Sequence, residues 1–236
     1  MHKMSRRQLK EDELLTTVEW FQKFGKEYYR ELLGGVAVAI LFAGAIMAWI
    51  SYSASQEAAA NIALGDALRT YHAYVGAPAA EPGADSFPTV QARDQKALSQ
   101  FQALASKYSH RKAGRIALYL TGMCQSDLGD SAASMKTLQQ AADSSDRDIA
   151  ALARFALAGE LAKTGKTADA VKLYQQLADH PTSTVPKATA LMAEADAERA
   201  TQPALARKLY QDLAREFGSD ATLANSLKEQ IASLPQ

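Results

Sequence analysis

Residues 136–143 read KTLQQAAD, residues 172–179 read KLYQQLAD and residues 208–215 read KLYQDLAR. Each block lies 36 positions after the one before it, and three matches in one register define an internal repeat. A period of about 20 to 50 residues marks a solenoid of supersecondary units, none of which can bury its apolar face without its neighbours. The breakers recur with the blocks. Gly129, Gly165 and Thr201 stand in equivalent places, Pro203 opens the third block's helix, and the turn-forming runs DSSD (143–146), DHPTS (179–183) and GSD (218–220) separate the units. The unit is therefore helix, turn, helix: Gly supplies the positive φ that ends the first helix, and Ser131 and Thr167 are the expected N-caps of the second.

Within the second unit, Leu157, Ala158 and Leu161 supply Leu, small and large apolar positions on the first helix, Gly165 the turn, and Ala170, Tyr174 and Leu177 the second helix, with Pro181 after it. In this pattern the chain resembles the tetratricopeptide repeat. The third unit keeps Ala206, Tyr210 and Leu213, and the first has Ser134, Leu138 and Ala141, with Gly122 at the small position. Departures are a period of 36 where the family has about 34, Glu194 at the small position of the third unit, and Thr121 and Gln125 in the first. A fainter unit precedes these, with Leu64, Gly65 and Leu68 expected on its first helix and Ala97, Phe101 and Leu104 on its second. They are separated by a loop at 76–90 that holds Pro78, Pro82, Gly83 and Pro88. The unit boundaries are then about 54–109, 110–145, 146–181 and 182–217, with a capping helix at 219–234.

Composition agrees with an all-α chain, since Ala is abundant and aromatics make up 8%. Lys plus Arg and Asp plus Glu number 26 each, so no polyanion footprint is present and nucleic acid is not an expected partner. Cys124 is the single cysteine, which rules out an intramolecular disulfide and reads as a small buried apolar side chain. His2, His72, His110 and His180 are scattered, and neither a metal-binding nor a nucleotide-binding or hydrolase motif occurs. No catalytic residue, cofactor site or metal site is expected.

Residues 32–50 (LLGGVAVAILFAGAIMAWI) are apolar throughout, and no charge occurs from 32 to 56. At about 1.5 Å per residue, such a helix spans the roughly 30 Å of bilayer hydrocarbon. Tyr28 and Tyr29 mark its near end and Trp49 and Tyr52 its far end, as aromatics do at membrane interfaces. Lys3, Arg6, Arg7, Lys10, Lys23, Lys26 and Arg30 precede the span, whereas Arg69 alone follows within 20 residues of Tyr52. The cation bias predicts a cytoplasmic N-terminus and an extracytoplasmic C-terminus. A cleaved signal is the competing reading, because SYSAS (51–55) has small residues. However, the apolar core is longer than a signal's 7 to 15 or so residues, and six acidic groups precede it. Before the span, Leu14, Val18, Phe21, Phe24 and Tyr28 recur at helical spacing. They predict an amphipathic helix that either lies on the inner leaflet or docks a membrane partner. The expected domains are a cytoplasmic segment at 1–31, a transmembrane helix at 32–53 and a repeat domain at 54–236. With no strong breaker between Ser51 and Asn61, the membrane helix is expected to continue into the first repeat helix.

The whole layout is similar to the inner-membrane tetratricopeptide-like family that includes the ancillary subunit of the Sec translocon. The likeness rests on WFQKFGK (20–26) before the span, a Gly-containing apolar helix ending at 49–52, and an Ala-rich first repeat helix. The resemblance implies a bacterial inner-membrane protein with a periplasmic repeat domain, a translocon-associated, chaperone-like helper that contacts Sec subunits, exported chains or periplasmic chaperones. Two other classes stay open: a scaffold for envelope assembly or cell division, and an unrecognised enzyme. Tyr119, Phe155 and Leu191 recur at one position of successive first helices, with Met123 a turn further on. These four are the candidate lining of a partner groove, against the plainer reading that they pack between helices.

Overall fold

A computed structural model describes residues 6–76, 86–218 and 221–234, with the backbone alone at 6–28, 32 and 221. Among the described residues the helices are α1 (Arg6–Tyr71), α2 (Val90–Lys107), α3 (Lys112–Asp127), α4 (Ser131–Ala142), α5 (Arg147–Lys163), α6 (Thr167–Asp179), α7 (Lys187–Glu198), α8 (Pro203–Glu216) and α9 (Ala221–Ser233). The sole extended pairing among them is a two-residue parallel ladder, β1 (Tyr74–Val75) with β2 (Ser86–Phe87), so the class is all-α. The ladder brackets the Pro-rich stretch, whose residues 77–85 lie outside the described residues. The chain divides into two compact units, Met1–Gln56 and Glu57–Gln236.

In the first unit the apolar stretch is helical, and every described side chain from Leu33 to Tyr52 is exposed, with Leu41 at 72% and Trp49 at 71%. It is long and apolar enough to cross a membrane. α1 carries no non-helical linker between Tyr52 and Asn61. The amphipathic face expected before the span lies outside the described side chains.

The second unit is a stack of helix pairs in which each helix packs on the next, from α2 on α3 to α8 on α9. α3 also meets α5, and α5 meets α7, so the first helices of successive pairs form one layer. The second helices carry the core. Ala97, Phe101 and Leu104 on α2, Ser134, Leu138 and Ala141 on α4, Ala170, Tyr174 and Leu177 on α6, and Ala206, Tyr210 and Leu213 on α8 are all buried. The small residues let these large ones in. A Cβ on Gly122 would lie 2.7 Å from both Cγ and Cδ2 of Leu138, so α3 and α4 approach as closely as they do because position 122 has no side chain. In the faint first unit this role falls elsewhere. Gly65 faces open space, and Ala60 and Ala67, fully buried in the α1–α2–α3 core, are the close-packing residues. At the other end, Leu227 and Leu234 seat α9 on α8 as the cap.

The turns inside the pairs show how one period tolerates different sequences. Gly129 and Gly165 have φ of +83° and +80°, and each closes a Schellman motif. The N–H of Lys166 donates to Leu161 O at 2.8 Å and that of Gly165 to Ala162 O at 3.1 Å; Asp130 and Gly129 repeat the pattern on Gln125 O and Ser126 O. Thr201 cannot follow into positive φ at low cost, so the third turn is built differently. The N–H groups of Thr201 and Gln202 both donate to Glu198 O, and the Glu198 carboxylate accepts from the Thr201 hydroxyl and the Gln202 amide. The expected caps also shift by one residue. Asp130, not Ser131, caps α4 by accepting the Ala133 N–H at 2.9 Å, and α6 begins after Lys166 with no side-chain cap, leaving Thr167 as its first residue.

Candidate functional site

Tyr119 on α3, Phe155 on α5 and Leu191 on α7 lie on successive first helices, 36 residues apart in sequence. All three are half-buried and engaged between helices. Tyr119 packs on Ala141, Ala142 and Ala153, and its burial raises the phenol pKa. Phe155 meets the Tyr174 ring edge-on at 5.4 Å between centroids. Leu191 bridges the core around Tyr174 to the core around Tyr210. Met123, half-buried, belongs to none of these clusters. Phe155 and Leu191 thus pack on one core cluster and Tyr119 on another, so part of the surface of each already serves the fold.

The first helices α5 and α7 also carry buried carboxylates whose environments differ. Glu160 on α5 accepts the Lys163 ammonium at 2.6 Å and the Ser126 hydroxyl at 2.5 Å. Burial works to raise its pKa, but the hydrogen bonds from Lys163, Ser126 and Ser131 outweigh it and hold the carboxyl below its ordinary value. Glu194 on α7 fills the position that is Ala158 and Gly122 in the earlier units. Burial raises its pKa, aided by the nearby Glu198 and Asp179 carboxylates, and its one charge-favouring contact is the Gln175 amide at 2.7 Å. Tyr210 donates its hydroxyl to Asp196, and burial with the same carboxylate pushes Tyr174 up to about 12. These are paired or hydrogen-bonded groups inside a helix stack, and among the described residues no group of His, Cys, Asp or Glu is placed to hold a metal.

The helix pair α3–α4, with its Schellman turn, its small residue at 122 and its large apolar partner at 138, is the unit on which the comparisons turn. Residues 116–145 match the tetratricopeptide repeat family model. The chain is tetratricopeptide repeat-like, and the second helices α4, α6 and α8 recur at a period of 36 residues. Among curated proteins and among solved structures, nothing matches the chain. Tetratricopeptide repeats serve as protein–protein interaction modules, and a protein partner is the functional class this fold supports.

A second face was not singled out by repeat position. Between α4 and α6, with α5 beneath, lies an open hollow of about 520 Å³, and next to it one of about 330 Å³ at the start of α5. The two share Gln176. Part of the signal was in the repeat motif itself, because Lys136 and Lys172 are its recurring first residue. Isolated lysines on an exposed helix face read as solvated surface, and only the packing of α4 and α6 on α5 brings them to one groove.

Proposed function

We propose that the chain is a membrane-anchored interaction module, with residues 32–53 spanning a bacterial inner membrane, the N-terminus cytoplasmic, and the repeat domain at 54–236 periplasmic. The observation that carries this reading is the unbroken exposure of apolar side chains from Leu33 to Ile50 on one helix. Each large apolar side chain left in water forgoes about 1.5–3 kcal/mol relative to burial, and over five turns hydrocarbon is the environment that removes the cost. A cleaved signal would expose such a segment equally. The long acidic and basic segment before it and the length of the apolar core favour retention as an anchor.

Within that class, the role best supported by the layout is a translocon-associated, chaperone-like helper for exported proteins, contacting Sec subunits, emerging chains or periplasmic chaperones. Support comes from the WFQKFGK segment at the membrane entry and from the tetratricopeptide-like domain that follows the span. The seam of Tyr119, Met123, Phe155 and Leu191 is the proposed contact for such a partner. Photoreactive residues placed at positions 20–35 of the full chain test the reading. Adducts with translocon subunits are expected. Adducts confined to cell-division or envelope-assembly proteins, despite good incorporation, would replace the helper role with that of a scaffold.

A further inference from the structure

The groove between α4 and α6 has a chemistry of its own. Along α5, Arg147, Ala151, Arg154, Leu157 and Leu161 line the two hollows, at spacings of three and four residues that put them on one side of the helix. From Arg147 to Leu161 this stripe rises about 21 Å. It is apolar at one end, lined by the half-buried Leu161, Leu173 and Met135 with Leu157 buried beneath them. At the other end Arg147, Arg154, His180 and Thr182 line the smaller hollow and no carboxylate does. Lys136, Lys166 and Lys172 stand around the apolar end, with Asp169 as the one acid, paired with Lys172 at 3.4 Å.

Five cations against one carboxylate is a marked local excess in a chain whose charges balance overall. The plainer role of the arginines is structural. Arg154 donates to the Ala142 carbonyl at the end of α4 at 2.9 Å, and Arg147 to the Pro181 carbonyl at 3.3 Å. Each of these bonds engages one N–H of a guanidinium that carries five, and it fixes the side chain with its other donors unspent. The acids beside Arg147 in sequence are occupied elsewhere. Asp146 caps α5 and pairs with Lys112, and Asp148 accepts the Ser183 hydroxyl.

We propose that this groove on the second-helix side, separate from the first-helix seam, binds an amphipathic acidic segment of a partner protein, its apolar side chains over Leu161, Leu173 and Met135 and its carboxylates at Arg147 and Arg154. Charge complementarity selects the acid and the leucine floor selects a peptide over a bare polyanion. The groove length suits a helix of about 14 residues.

Fluorescence anisotropy on the full chain in detergent micelles tests the assignment. The probe is a labelled 16-residue peptide with leucines at helical spacing in one half and glutamates in the other, offered in both orders. Its lysine-for-glutamate version and a single-stranded oligonucleotide of equal charge are the comparators. One order of the acidic peptide is expected to bind, at least tenfold more tightly than either comparator. Both K136E/K172E and R147E should weaken binding at least tenfold while the circular dichroism melt stays intact. K208E, the same charge change at the third recurring lysine and outside the groove, should leave binding unchanged. Equal binding of the oligonucleotide, no binding of either peptide order, or full binding by both groove variants would overturn the proposal.

Discussion

Gly122 and Gly159 are both interior helical glycines of the repeat domain, and the packing around them requires opposite outcomes from the same substitution. In Gly122→Ala the new methyl would sit 2.7 Å from Cγ and Cδ2 of Leu138, a side chain with no exposed surface. Overpacking of this kind costs about 1–3 kcal/mol. Any shift of α4 would also stretch the buried bond from the Ser134 hydroxyl to the Gly122 carbonyl, now 2.8 Å. Against this stands about 1 kcal/mol of helix propensity gained by Ala over Gly. The expected balance is a loss of up to about 2 kcal/mol, a fall in Tm of up to about 8 °C for a domain of this size. In Gly159→Ala the nearest atom is the Tyr174 hydroxyl at 3.8 Å, an ordinary contact. Here the propensity term is unopposed, and a gain of about 0.5–1 kcal/mol is expected. Denaturation of the full chain in mild detergent, followed by circular dichroism, measures both. Truncating Leu138 to Ala removes both clashing carbons, so the cost of G122A in an L138A background should shrink, a coupling read from the double-mutant cycle. If G122A stabilised the chain as G159A does, the close approach of α3 and α4 would be refuted.

Further outcomes follow from the buried carboxylates and the thiol. Glu160 is held below its ordinary pKa, so it stabilises the fold above the unfolded-state value and loses that contribution as the pH falls through the acidic range. E160Q should therefore cost about 2 kcal/mol at pH 7 and progressively less toward pH 3. Glu194 is held above its ordinary pKa, so stability declines as the pH rises through its titration. E194Q should raise Tm at pH 7 and leave it unchanged near pH 4, and parallel pH profiles for the two variants would contradict the assignments. Cys124 is fully buried, and burial, followed by the Asp127 and Asp94 carboxylates, pushes its thiol up to about 12. The native chain should resist maleimide at pH 7.5 over hours and react promptly once denatured; fast native labelling would show that the α1–α2–α3 core opens.

Much of the fold was legible because second-helix positions repeat strictly. α4, α6 and α8 begin at 131, 167 and 203, each 36 after the last. Their large apolar residues fill the core, and core positions tolerate little drift. First helices are looser, starting at 112, 147 and 187. α7 starts late because Pro181 and Pro186 flank a loop closed by the Thr182 hydroxyl on the Val185 N–H. The turn at Thr201 falls where the period puts it, and there Glu198 supplies by side-chain hydrogen bonds what glycine supplies by positive φ at 129 and 165. The first-helix stripe was visible as a repeated large apolar residue, but the sequence does not say whether such a residue meets a partner or a neighbouring helix. The basic groove was hidden because its residues come from three helices, and their convergence depends on how α4 and α6 sit on α5.

Site-directed labelling tests most directly the proposed anchoring of the repeat domain by residues 32–53. With Cys124 inert, single cysteines placed at Glu11 and at the exposed Lys136 report the two sides. In spheroplasts treated with a membrane-impermeant maleimide, K136C should label at once and E11C only after the membrane is permeabilised, with both chains in the membrane fraction after alkaline extraction. Labelling of E11C with protection of K136C, or recovery of the intact chain in the soluble fraction, would contradict it.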